Sequence, residues 1–322
     1  RPQNPAAAIE FRIQSPILVK GLRVTRDLAP QNPSAMQGKH NKYGETMLEQ
    51  GVKDQMGYEI ALGERRFGRV NWLGLQTLAQ REITRFLVVW TQTLLAPLVT
   101  AALFLLIFNL AIGPKRGDVM GVPFLHFLAP GIMMMTVIQN AFANTSSSLV
   151  ISKVQGNIVD TLMPPLSGLE ILLGYLAGAV VRGTLVACGI GLGLALVLQI
   201  FPAHPLIALA FIVMGALFLG GLGIVAGIFA NKFDQMAAIT NFVVTPLAFL
   251  SGTFYSVDAL PPVLRAISQM NPVFYLIDGL RFGMIGTSDG APLVGLAICA
   301  GSSFAICVLA WAMLRSGYRL KA

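Results

Sequence analysis

SGTFYSVDALPPVLRAISQMNPVFYLIDGLRFGMIG, residues 251–286, lies between two strongly apolar segments and cannot itself cross a bilayer. Pro261-Pro262 and Asn271-Pro272 cut it into pieces of roughly 10–14 residues, short of the roughly 20 that a spanning helix needs. It therefore reads as a re-entrant helical hairpin, Val257 to Gly286, that dips into the membrane and returns. Each half sets aromatic rings beside single charges, Phe254 and Tyr255 with Asp258 and Arg265, then Phe274, Tyr275 and Phe282 with Asp278 and Arg281. Rings of that kind anchor where hydrocarbon meets water. Tyr255, Asp258, Asn271, Pro272, Tyr275, Asp278 and Arg281 are the hairpin's candidate functional residues.

The flanking sequence fits an integral membrane protein. Of 322 residues, 55% are hydrophobic and 12% charged, and mean hydropathy is +0.68, more apolar material than a soluble core requires. Six spans are predicted at about 86–112, 124–150, 169–198, 206–229, 236–256 and 291–314, each long enough to cross. An even number puts both termini on one side. Near the membrane that side holds Arg69, Arg81, Arg85, Lys153, Lys232, Arg315, Arg319 and Lys321, against Lys115, Arg116, Arg265 and Arg281 opposite. The positive-inside rule then places both termini in the cytoplasm. The expected fold class is an all-α membrane protein of six transmembrane helices, with an N-terminal interfacial helix and the hairpin between spans five and six.

Residues 1–69 are rich in Pro, Asn, Gln and Gly and have no sustained period, so they read as a polar cytoplasmic arm, solvated or ordered only on a partner. The first long apolar run begins near Phe86, so no secretory leader is expected within this sequence. Residues 70–85 read as an amphipathic helix lying at the interface, with Trp72, Leu75, Leu78 and Ile83 on one side. A polar extension of the first span is the alternative. Residues 86–322 form the transmembrane domain. Cys188, Cys299 and Cys307 all fall in apolar runs, which implies neither a disulfide framework nor a thiolate metal site.

The absences matter as much. No G-x-x-x-x-G-K-[S/T] run occurs, and the Gly38-Lys39 pair is followed by His40, so no phosphate-cradling loop is expected in this chain. Spans two to six hold one carboxylate, Glu170, at the mouth of the third. An ion-gradient-driven carrier or channel lacks its usual buried acids, and an external energy source fits better. A non-transporting membrane scaffold is a third reading.

Within the second span Thr136, Gln139, Asn140, Asn144 and Ser147 recur at helical spacing as a polar stripe. Such a stripe either lines a translocation path or bonds neighbouring helices together. Arg182 sits deep in the third span, sharing a face with Gly174 and Gly178, which predicts close helix packing and a polar partner. Residues 153–166, KVQGNIVDTLMPPL, read as a short amphipathic connector ended by Pro164-Pro165, with Ile158, Leu162 and Met163 on one face. It is either an ordinary link or a helix that docks in a groove of a cytoplasmic partner.

Four stretches, NWLGLQTLAQREITRFLVVWTQTLLAPLVTAALFLLIF, GNIVDTLMPPLSGLEILLGY, FANKFDQ and LSGTFYSVDALPPVLRAISQMNPVFYLIDGLRFG, resemble the membrane subunits of ABC-2 type exporters. That group includes permeases for polysaccharides, nodulation factors and drugs, and the resemblance covers about residues 70–320. It implies a homodimer of six-span subunits in a bacterial inner membrane, each served by a separately encoded ATPase subunit that carries the ATP and Mg. No cofactor is then expected in this chain itself, no catalytic residue, and no nucleic-acid partner. The resemblance assigns ATPase coupling to Glu82, Arg85, Gln155, Asn157, Ile158 and Asp160, and gives spans two and five to the path and the hairpin to its outer closure. An arm of this length departs from the short tail typical of these permeases.

Overall fold

The computed structural model describes residues 70–113 and 117–319, apart from the side chain of Asp258. The predicted arm, Lys115, Arg116 and Lys321 lie outside the described residues. Among the described residues there is no strand, and six helical segments are long and apolar enough to cross a membrane: Thr91–Ala111, Phe124–Val154, Gly168–Val197, Pro205–Phe229, Phe233–Leu250 and Pro292–Ser316. They correspond in order to the six expected spans.

Helix α1, Trp72–Val88, leads into span one through a break at Val89. The break falls a turn later than residue 85, because no Gly or Pro marks it in an apolar stretch. Thr93 Oγ1 donates to the carbonyls of Phe86 and Val89, at 2.7 and 3.1 Å, and so ties the two sides of the break together. Span one is the π-turn Thr91–Leu95 followed by α2, Ala96–Ala111. Spans two to four are α3, Phe124–Val154, then, after the connector helix α4, Ile158–Leu162, α5, Gly168–Val197, and α6, Pro205–Phe229.

Span five repeats the construction of span one: α7, Phe233–Ile239, a π-turn at Thr240–Val244, and α8, Thr245–Leu250. In both spans a proline follows at once, Pro97 and Pro246. A proline ring clashes with the carbonyl four residues back, and the wider turn, closed by Ala96 N–H to Thr91 O and by Thr245 N–H to Thr240 O, makes room for it. Span five stops at Leu250 rather than 256, where Ser251 to Ser256 turn the chain through Gly252 at φ 77°. Gly tolerates that left-handed conformation without strain.

Two helices occupy the predicted hairpin, α9, Pro262–Met270, and α10, Pro272–Ile285. Asn271 caps the second by accepting from Val273 N–H at 3.0 Å, and Gly286 ends it at φ 75°. Span six is α11, Pro292–Ser316.

Span two is the hub, with 83% of its most apolar window buried. Spans one and five are the reverse, at 6% and 11%. Span four approaches the hub through glycine: a Cβ on Gly223 would lie 2.6 Å from the carbonyl oxygen of Phe142, and Thr145 Oγ1 donates to Gly220 O at 2.7 Å. Small residues let the two backbones come together, which supplies dispersion contact where no hydrophobic effect separates protein from lipid.

Candidate functional site

The buried face of α1 carries Leu78, Glu82 and Phe86, four residues apart, so all three point one way. That face meets span three, where a Cβ on Gly174 would sit 2.6 Å from Leu78 Cδ2 and one on Gly178 would sit 2.8 Å from Glu82 Cβ. The face expected to contain Trp72 and Leu78 together is divided, since Trp72 is 72% exposed while Leu78 is buried. Packing against glycines, not apolar spacing alone, chose the inward face. At its N-terminus α1 is tied to the start of span three. Glu170 accepts from the Asn71 backbone and, in a capping box with Ser167, from the Ser167 backbone at 2.6 Å.

Glu82 is fully buried. Its carboxylate accepts from Ser148 Oγ at 2.9 Å and Arg81 Nη2 at 3.2 Å, and pairs with Arg85 Nη2 at 3.3 Å. A buried carboxylate is tolerated only with this density of partners. Arg81 reaches on to Thr161 of the connector at 3.1 Å. Arg85 donates to the Asn144 carbonyl at 2.7 Å, to Asn144 Oδ1 at 3.3 Å and to Ser147 Oγ at 3.4 Å. One turn deeper, Arg182 Nη2 donates to Asn140 Oδ1 at 2.8 Å. Asn140 in turn donates to Thr136 O at 2.9 Å, and Thr136 to Ile132 O at 2.8 Å.

Four of the five residues of the span-two stripe, Thr136, Asn140, Asn144 and Ser147, thus make hydrogen bonds inside one subunit. Thr136, Asn140 and Asn144 are buried, and Gln139 and Ser147 half-buried. Asn140 is the partner that the depth of Arg182 demanded.

Between α1, the end of span two and the connector lies a groove of about 670 Å³. Glu82, Arg85, Gln155, Asn157 and Asp160, five of the six residues expected to couple to an ATPase, line it, and Gln155, Asn157 and Asp160 are exposed. The sixth, Ile158, is buried with Leu78, Leu149 and Tyr175, and pins the connector to the subunit. Of the expected connector face, Leu162 and Met163 instead stand exposed, beside Val159. Lys153 donates to the carbonyls of Ile228 and Ala230, closing the end of span four. Ser148, Arg81 and Thr161 belong to this constellation, yet Arg81 enters the sequence reading only as a basic residue near the membrane, and Ser148 and Thr161 are not singled out there. Ser148 stands one turn beyond Asn144, and that spacing was the signal for it.

At the opposite end of the spans the hairpin residues form a second network. Arg281, 1% exposed, donates to Gly252 O at 2.8 Å, lies 3.6 Å from both Asp278 Oδ1 and Asp289 Oδ2, and stacks 4.0 Å above the Phe127 ring. Asp278 accepts from the backbone of Asp289 and Gly290, and Asp289 from Ser256 Oγ at 2.6 Å. Asn271 donates to Leu247 O at 3.1 Å and to Ser251 Oγ at 2.6 Å, and Tyr255 Oη to Leu250 O at 2.9 Å. Pro272 opens α10, and Tyr275 is edge-on to Phe274 at 5.0 Å. Aromatic anchoring at a boundary is not what Phe274 does, since it is buried in protein. Asp289, in the turn after the hairpin, is the acid the sequence reading missed.

The leading helix and the six apolar spans define a multi-span helical protein, and the chain belongs to the ABC-2 type transporter family, whose pattern matches residues 74–285. It is 34% identical over 251 residues to the inner membrane transport permease YadH of Escherichia coli (strain K12), covering 78% of this chain and 98% of that protein. It is 27% identical over 221 residues to nodulation protein J of Rhizobium leguminosarum bv. viciae, covering 68% and 84%, and 26% identical over 211 residues to nodulation protein J of Rhizobium meliloti (strain 1021), covering 65% and 79%.

Proposed function

We propose that this chain is the permease subunit of an ATP-driven exporter in a bacterial inner membrane. It moves an amphiphilic, lipid-linked or drug-like substrate outward, with both termini in the cytoplasm. The observation that supports this best is the groove in which Arg85, Gln155, Asn157 and Asp160 gather over the buried Glu82. A groove of this kind, rimmed by exposed Val159 and Met163, suits a helical or loop element of a cytoplasmic ATPase subunit. ATP binding and hydrolysis stay on that partner. Closure of the ATPase pair pushes the connector, and because Thr161 is bonded to Arg81 the push passes into α1 and the Glu82 network as a rigid-body motion. A second copy of the permease completes the path, and spans one and five, the least covered by their own subunit, leave room for it or for lipid.

The test is co-expression with an ABC ATPase subunit from the same source genome. The wild-type pair is expected to purify together and to hydrolyse ATP. Asp160→Lys, a change at an exposed position, is expected to separate the subunits while leaving the melting temperature of the permease alone. Intact assembly with unaltered ATP turnover would remove the connector from the coupling role.

A further inference from the structure

Spans one and three touch at Leu98 and Gly189 and part toward the hairpin. A Cβ on Gly189 would lie 2.8 Å from Leu98 Cδ2, yet one on Gly193, a turn further along, would meet nothing within 4 Å. Between the diverging helices is a cleft of about 550 Å³, with Ala101 at its base and Leu105 and Val197 on its walls. Among the residues lining it only Asn109, at the open end, has a polar side chain. Its neighbour Phe108 stacks on Phe254 of the hairpin turn at 5.0 Å, so the cleft opens into the leaflet on the hairpin side.

Leu98 to Asn109 rises about 16 Å at roughly 1.5 Å per residue. That is half of the roughly 30 Å hydrocarbon thickness, one leaflet. From this match we infer that the cleft binds a single hydrocarbon tail of an amphiphile resident in the hairpin-side leaflet. Water finds no polar partners along its length, and an empty cleft would forfeit dispersion contact on every wall. A helix of a second copy, about 10 Å across, does not enter a wedge that narrows to side-chain contact at Gly189 and Leu98. An unbranched chain one methylene wide does. The Asn109 amide at the mouth offers both a donor and an acceptor to the polar linkage above such a tail. The inference needs only the spans and the cleft, so it stands apart from the question of ATP coupling.

The test reconstitutes the full-length permease, without ATPase, in nanodiscs doped with a phospholipid bearing a diazirine on one acyl chain, and maps the adducts by mass spectrometry. Phe304, 71% exposed on span six, reports ordinary boundary lipid. Adducts at Leu105 and Val197 are expected to exceed those at Phe304 by about fivefold, a preference of about 1 kcal/mol. Gly193→Phe, which fills open space, is expected to abolish that excess and to leave Phe304 labelling and the elution profile unchanged. Val197→Trp, at a position 80% exposed, blocks the same mouth if the first variant fails to fold. Equal labelling at all three positions, or an excess that survives both variants, overturns the inference. So does a wild type without cleft adducts whose Val197→Cys form cross-links between two copies, because a second permease then fills the space. The outcome of the co-purification test with the ATPase bears on the coupling proposal alone and leaves the cleft inference untouched.

Discussion

Glu82 of the leading helix accepts a hydrogen bond from Ser148 of the second span at 2.9 Å, with its carboxylate wholly buried. The contact joins the leading helix of the described residues to the helix around which the spans pack. It also gives Glu82 a different place in the coupling groove from Asp160: Glu82 sets the floor, and Asp160 stands at the surface.

Replacing Glu82 by Gln leaves Arg81 and Arg85 without their counter-charge while keeping the shape. The loss of one partner of a buried pair costs on the order of 3 kcal/mol, reduced here because Arg85 is 28% and Arg81 44% exposed. A melting temperature several degrees lower in a fluorescence-detected size-exclusion series is expected. No change in melting would mean that Ser148 and the serine and threonine hydroxyls nearby suffice to hold α1.

Arg182 and Asn140 should behave as a unit. Arg182→Leu strands an amide, and Asn140→Leu strands a guanidinium, so each alone is expected to destabilise more than the double replacement does. A double-mutant cycle on thermal unfolding should return a coupling of about 1 kcal/mol or more. Additive losses would show that the 2.8 Å contact holds nothing in place.

In the hairpin, Arg281→Met removes the charge shared by Asp278 and Asp289 and leaves two buried carboxylates facing each other. Faster hydrogen exchange at Gly252 to Asp289 is expected, with exchange in span two unchanged. Adding Asp289→Asn should restore much of the protection, because one acid is then gone. Rescue by Asp289→Asn distinguishes charge balance from lost packing on Phe127.

Glycine replacement separates tight from open contacts. A Cβ at Gly131 would fall 2.5 Å from the backbone oxygen of Thr253, whereas one at Gly301 meets nothing within 4 Å. Gly131→Ala is therefore expected to push the turn after span five off span two and to lower stability by about 1–3 kcal/mol. Gly301→Ala should be neutral or stabilising by up to about 1 kcal/mol through helix propensity. Equal effects at the two sites would contradict the close approach.

Much of this was legible beforehand. Six apolar runs, the prolines at 261, 262 and 272, and the connector ending at Pro164-Pro165 mark the helices directly, because length and proline act locally. Gly174, Gly178 and Arg182 announced a tight helix contact, but not that the leading helix would make it. Partners such as Asn140 for Arg182, or Asp289 for Arg281, depend on how distant segments come together, which spacing along one helix does not encode. The faces of α1 and α4 divide for a local reason: at about 100° per residue Trp72 lies about 120° round the helix from Leu78, and Met163 about 140° from Ile158, so each faces away from the subunit.

In spans one and five the π-turns already depart from the four-residue ladder beside Pro97 and Pro246, so a change of tilt there can trade a five-residue closure for a four-residue one with no net loss of backbone hydrogen bonds. Compliance is thereby confined to the rim of the subunit, and the heavily packed second span serves as its fixed post.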